Sequence, residues 1–285
     1  MKKVLSLFLI LCAVTMHAQN KMILPLWPDG APNDNGLKGE VTDRGDKFIG
    51  NISSPRLHVF LAKNPNGKAV IMCPGGGYAG VMMTYEGTDM ADWYNAQGIS
   101  YFVLEYRMPN GHYDVPLSDA EQAIRMVREH ADEWKINKRA VGISGASAGG
   151  HLAASLGTLY SSEETRPDFQ ILFYPVITMK TNTHGGSRTN LMGKNPKAET
   201  VARFTLEEQV TPNTPPAFIM LSADDKVVPV IENGIAYAKA FIKKDVPVSL
   251  HLYPIGGHGW GFKDAFVYKQ QWTNELEKWL RETVK

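Results

Sequence analysis

The apolar positions of this chain fall into two alternating patterns. Ala69-Val70-Ile71-Met72-Cys73 is an unbroken apolar run, as expected of a strand covered on both faces. Leu57 to Ala62, Ser100 to Leu104, the run ending at Val141, Phe169 to Tyr174, Ala217 to Leu221 and Val248 to Tyr253 read as further strands. Between them the spacing turns helical. Thr88 to Gln97 places Met90, Trp93 and Tyr94 on one face and stops at Gly98. Ser118-x-x-Glu121 reads as a capping box opening a helix with Ala120, Ile124, Val127 and Ala131 on its buried stripe. Leu152 onward, about 231–243 and about 265–282 complete the helices. Strands alternating with helices predict an α/β fold: a mainly parallel, twisted sheet with helices on both faces.

Two stretches break the alternation. Residues about 20–55 are rich in Pro, Gly, Asn and Asp, and read as an extended arm with turns. Residues about 177–215 hold few strand signals, and Thr205-x-x-Glu208 suggests one short capped helix there. That stretch is too long for an ordinary connection, so it is expected to form a small lid-like insertion.

The first residues follow different rules. Lys2 and Lys3 precede an apolar run from Val4 to Val14, and Met16-His17-Ala18 offers a small residue before Gln19. This is the pattern of a secretory signal over residues 1–18, too short for a membrane span. It predicts an exported protein, periplasmic or secreted, whose mature chain has no membrane span and forms a single domain over 19–285. Removing the signal removes Cys12 and leaves Cys73, a small buried hydrophobe, with no partner for an internal disulfide. The 285 residues carry a net charge of +1 and 44% hydrophobic residues, enough for one large domain. Near-zero charge gives no footprint for nucleic acid or an anionic membrane.

Candidate chemistry gathers at the predicted strand ends. Gly145-Ala146-Ser147-Ala148-Gly149 sits between a strand and a helix, which is the nucleophile-elbow context. Small residues on either side let strand and helix approach, and the turn thrusts the serine hydroxyl above the sheet. The first helical turn aims free N–H groups at the same spot, Ala148 among them. About 70 residues earlier, Pro74-Gly75-Gly76-Gly77-Tyr78 follows a buried strand. A glycine loop there can lend backbone N–H groups of Gly76 or Gly77 to an oxyanion hole.

A serine needs a base, and after an elbow the order runs serine, acid, histidine. Only His251 and His258 lie far enough along the chain. His251 falls inside a strand and is expected to pack between sheet and helix. His258 lies in Gly256-Gly257-His258-Gly259-Trp260-Gly261, just past a strand end where ligand crevices form. The acid leaves the strand Ala217 to Leu221. Asp225, in Asp-x-x-Val228-Pro229, is favoured and Asp224 is the reserve. Tyr78, His184 and Trp260 are candidate substrate contacts. Glu86 and Arg107 are a candidate structural charge pair.

On these four motifs the chain resembles α/β-hydrolases of the bacterial esterase/lipase type, above all the secreted acetyl xylan esterase-like enzymes. The similarity spans most of residues 20 to 285. One departure is Pro74, where the related lipase pattern begins with histidine. The resemblance implies an acyl-transfer mechanism needing no metal or organic cofactor, and an acylated carbohydrate as partner. A feruloyl esterase and a compact peptidase of the prolyl oligopeptidase type remain open. A lipase and a sugar-binding protein on the same scaffold are less favoured readings.

Overall fold

The computed structural model describes residues 22–45 and 47–284, so the signal-peptide reading lies outside the described residues. Eleven strands and eight α-helices are described, with short 3-10 and π turns between them. The strands are β1 (Met22–Pro25), β2 (Thr42–Asp43), β3 (Phe48–Gly50), β4 (Arg56–Phe60), β5 (Ala69–Cys73), β6 (Gly80–Met82), β7 (Ser100–Glu105), β8 (Val141–Ala146), β9 (Gln170–Phe173), β10 (Ala217–Ser222) and β11 (Val248–Tyr253). The helices are α1 (Ala91–Ala96), α2 (Asp114–Glu129), α3 (Ala131–Trp134), α4 (Ser147–Leu159), α5 (Gly185–Met192), α6 (Ala198–Arg203), α7 (Ala236–Lys243) and α8 (Lys269–Thr283).

Eight strands form one sheet in the order β1-β4-β7-β5-β8-β9-β10-β11. All pairs from β7 to β11 are parallel, and β4 joins β7 and β1 antiparallel. The parallel strands β5, β7, β8, β9 and β10 are buried along their whole length, which is why they read as unbroken apolar runs. With β11 they end together, at Cys73, Glu105, Ala146, Phe173, Ser222 and Tyr253, and that common edge carries the candidate chemistry. The opposite edge receives both ends of the described chain. Met22 pairs with Val59, which pairs with Phe102 near the start of β7. At the other end Leu280 and Arg281 of α8 line a hollow with Lys68 and Ile99, just before β5 and β7.

The arm is more structured than its composition suggests. Its turn at Gly45 closes a hairpin, with Asp43 Oδ1 accepting the Gly45 N–H at 3.0 Å, and β2, β3 and β6 make a small antiparallel sheet. Its first part is pinned by a buried ion pair. Arg107 (2% exposed) meets Asp119 (0% exposed) at 2.7 Å, while Trp27 Nε1–H donates to the same carboxylate at 2.7 Å. Arg107 also donates to the Asn33 carbonyl at 2.6 Å. The partner of Arg107 is therefore Asp119, not Glu86, which corrects the pair expected from the sequence.

The expected capping box is also corrected. The helix begins at Asp114, four residues before Ser118. Ser118 Oγ donates to the Val115 carbonyl at 2.8 Å, and Glu121 Oε1 accepts the Ser161 N–H at 2.7 Å. Pro116 fits in this first turn because the N–H groups there have no intrahelical partner to lose. The insertion contains α5, α6 and a 3-10 turn at Leu206–Glu208. Thr205 does not cap that turn; its hydroxyl donates back to the Val201 carbonyl at 2.7 Å.

Candidate active site

Ser147 opens α4 directly after β8 with φ at 54°, in the left-handed region that non-glycine residues avoid. Its neighbours explain the glycine spacing. A Cβ on Gly145 would stand 2.1 Å from the Gly149 carbonyl oxygen, and one on Gly149 would stand 2.1 Å from that of Cys73. Strand, helix and the glycine loop are thus in backbone contact around the serine.

The residues expected to join Ser147 do so. His258 Nε2 lies 2.8 Å from Ser147 Oγ, and His258 Nδ1 lies 2.7 Å from Asp225 Oδ2. Asp225 Oδ1 accepts the backbone N–H groups of Val227 at 2.8 Å and Val228 at 3.0 Å, which gives the Asp-x-x-Val spacing its physical reason. Burial pushes the Asp225 carboxyl up, but the imidazole, these two amides and the imidazole charge together hold it below the usual carboxylate range. An ionised Asp225 only accepts, so Nδ1 carries the imidazole proton and Nε2 is left to accept from the serine hydroxyl. Asp224 has another partner: its Oδ1 accepts the Gly257 N–H at 2.8 Å and ties down the loop holding His258. His251 packs between sheet and helix as expected, stacked on Phe218 and 2.9 Å from Glu275 of α8.

Ser147 and His258 open into a cavity of about 340 Å³. Gly76 and Gly77 line it, together with Phe48, Met82, Tyr85, Glu86, His184, Val227 and Lys263. The glycine loop is held by two side chains. Gly75 N–H donates to Glu86 at 3.0 Å, and Asn190 of α5 donates to the Gly77 carbonyl at 2.8 Å. Ala148, in the first turn of α4, has no intrahelical acceptor for its N–H. His184 lies where the sequence reading put it. Its Nδ1 accepts the Ser187 N–H at 3.2 Å at the start of α5, and burial, with the nearby His258 charge, lowers its pKa. The neutral ring therefore keeps a proton on Nε2.

Two expected substrate contacts are corrected. Tyr78 is 2% exposed, and its hydroxyl meets Nδ1 of His151 at 3.0 Å. His151 Nε2 lies 3.0 Å from the Phe204 carbonyl, and burial holds its pKa down at about 4. That network ties the glycine loop to α4 and to the insertion. Trp260 is 3% exposed; it stacks on Phe266 at 4.1 Å and donates its indole N–H to Ser222 at 3.0 Å. Both rings are built into the core, where apolar area is removed from water, and neither lines the cavity holding Ser147.

Sequence reasoning missed Tyr174. Its ring packs edge-on to His258 at 4.7 Å and its hydroxyl donates to Glu86 at 2.7 Å. It sits directly after a strand, before Pro175, and read simply as the strand's last residue. A tyrosine ending a strand at the edge where the other chemistry collects was the available signal.

Comparison with known proteins places this geometry. The family profile described as alpha/beta hydrolase fold matches residues 70–262. An acetylxylan esterase of Xylanibacter ruminicola is 43% identical over 244 residues, covering 82% of this chain and 50% of that protein. The endo-1,4-beta-xylanase B of Butyrivibrio fibrisolvens is 34% identical over 260 residues, covering 81% of this chain and 41% of that protein. The chain thus spans about half the length of these curated relatives. Among solved structures, an acetyl ester-xyloside bifunctional hydrolase from Caldicellulosiruptor lactoaceticus superposes with a TM-score of 0.77 at 34% identity, over 91% of this chain and 95% of that one.

Proposed function

This chain belongs to the α/β-hydrolase family, and from that premise we propose that it is a serine carboxylic-ester hydrolase that deacetylates xylan or xylo-oligosaccharides. The observation that carries the reading is the continuous line from Asp225 through His258 to Ser147, at 2.7 and 2.8 Å, ending in the cavity. The activities for which the acetylxylan esterase and the acetyl ester-xyloside hydrolase are named support the choice of acyl group and sugar.

The mechanism follows from the geometry. His258 Nε2 takes the Ser147 proton as Oγ bonds to the ester carbonyl carbon. The carbonyl oxygen becomes anionic and receives N–H groups from Ala148 and from Gly76 or Gly77. One such donor is worth about 3 kcal/mol of barrier. The carbon–oxygen bond to the sugar then breaks, and His258 gives its proton to the departing hydroxyl. Water, deprotonated by His258, attacks the acyl-serine and releases the acid, restoring the Ser147 hydroxyl. Asp225 stays ionised and steadies the imidazolium through both halves. His184 lines the same cavity and would donate its Nε2–H to the sugar or the acyl oxygen.

One observation favours a second acyl group. Phe48, Met82 and Tyr85 give the cavity an apolar, partly aromatic wall that an acetyl group would not fill, as a feruloyl group would. The test is a panel of acetylated xylan, a feruloylated sugar and a proline-containing peptide amide, with a fluorophosphonate label located by mass spectrometry. Acetate release and label on Ser147 support the reading. Cleavage of the peptide alone, or label elsewhere, overturns it. The export signal over residues 1–18 belongs to the same proposal, and a periplasmic or secreted product starting at Gln19 would support it. Among the described residues no helix is long and apolar enough to cross a membrane.

A further inference from the structure

Glu86 is a carboxylic acid at the cavity that the mechanism above does not use. It is 4% exposed and lies in the turn between β6 and α1. Its two oxygens reach in different directions. Oε2 accepts the Gly75 N–H at 3.0 Å, on the loop that supplies Gly76 and Gly77. Oε1 accepts the Tyr174 hydroxyl at 2.7 Å, and that hydroxyl accepts the Gly261 N–H at 2.8 Å, three residues past His258. The main chain beside it makes the same connection, since Phe262 N–H donates to the Tyr85 carbonyl at 2.7 Å.

We propose that Glu86 and Tyr174 form a brace that fixes the separation between the oxyanion loop and the loop of His258, so that both are in place when Ser147 attacks. Both direct partners of the carboxyl are donors, so the position needs two acceptor oxygens on one planar fork. Glutamine has one acceptor and would set its own N–H₂ against the other donor. The fit around the carboxyl is close: a Cβ on Gly75 would stand 2.5 Å from Glu86 Oε2 and 3.0 Å from Ser147 Cβ. Tyr174 is held at φ 35°, a conformation that persists only where the surroundings over-determine it. Its ring then packs edge-on to the imidazole at 4.7 Å. Glu86 and Tyr174 touch no reacting atom; they are positioning residues, and misplacing a reacting group by about 1 Å costs up to about a hundredfold in rate.

The inference rests on Ser147 being the nucleophile, and a Ser147→Ala control tests that reading separately. The experiment compares Glu86→Gln, Tyr174→Phe and the double variant on p-nitrophenyl acetate, well below each variant's melting temperature. Each single substitution is expected to lower kcat by about tenfold or more while KM stays within about twofold. The double variant should be no slower than the worse single one, because both break one linkage. Three results overturn the brace while leaving the nucleophile intact. One is kcat within about twofold of wild type in either variant. Another is losses that multiply in the double variant. The third is a loss fully accounted for by the unfolded fraction. Should Glu86→Gln fail to fold, Tyr174→Phe removes a single oxygen from a buried ring, and its kcat and KM alone support or overturn the proposal.

Discussion

Two buried carboxyls, Asp119 and Glu86, are held in different ways. Asp119 meets a full cation, Arg107, and adds a neutral donor from Trp27. Glu86 meets neutral donors, the Gly75 N–H and the Tyr174 hydroxyl. The first clamps the arm to the sheet, where no charge changes during a reaction. The second lies beside the atoms on which charge would appear and move. A fixed cation paired to Glu86 would repel the imidazolium that forms on His258. The contrast separates a region built for permanence from one built to leave its charges free to shift.

The largest test of that separation removes the hydroxyl at its centre. Ser147→Ala is expected to lower kcat by about 10⁶-fold, as in other serine triads, while the urea midpoint hardly changes. Asp119→Ala should do the reverse. Stranding buried Arg107 is expected to cost about 3–5 kcal/mol of stability, with kcat per folded molecule near wild type. Equal losses of kcat in both variants would erase the distinction between the regions.

A pH series sharpens the comparison through His151, a third buried group, held at about 4 against an ordinary value of 6.5. Between those two values the unfolded chain binds a proton that the folded chain refuses. Stability is therefore full above 6.5, falls as pH drops toward 4, and for this group changes no further below that. The total is about 3 kcal/mol. Urea titrations of wild type and His151→Gln should show a shallower slope in the variant over that window; equal slopes would mean the ring does not stay neutral. The smallest expected change in stability is that of Ser147→Gly. Relieving the positive φ should raise stability by about 1 kcal/mol, roughly 2–4 °C in Tm, while abolishing turnover.

What could be read from the sequence was what depends on near neighbours. The parallel strands announced themselves as apolar runs because both faces are covered, and the elbow because Gly145 answers to a contact with Gly149 inside the turn. Choosing Asp225 over Asp224 rested on a spacing that the amides of Val227 and Val228 now explain. The failures lie where distant packing decides. Glu86 finds Tyr174 across 88 residues, and Arg107 finds Asn33 across 74. Tyr78 and Trp260 were credited with substrate because they adjoin the chemistry in sequence, yet their rings turn inward to His151 and Phe266. Ser118 and Glu121 had the spacing of a cap, but Asp114, Val115 and Pro116 had already started the helix.

The sheet also fixes where other objects can be attached. Both described ends of the chain, at Met22 and at the close of α8, lie toward the edge away from Ser147. A fusion partner, a surface-immobilisation tag or a carrier bead coupled at Met22 or at the close of α8 would therefore stand on the side away from Ser147. A bulky, insoluble polymer could still approach the mouth of the cavity unobstructed.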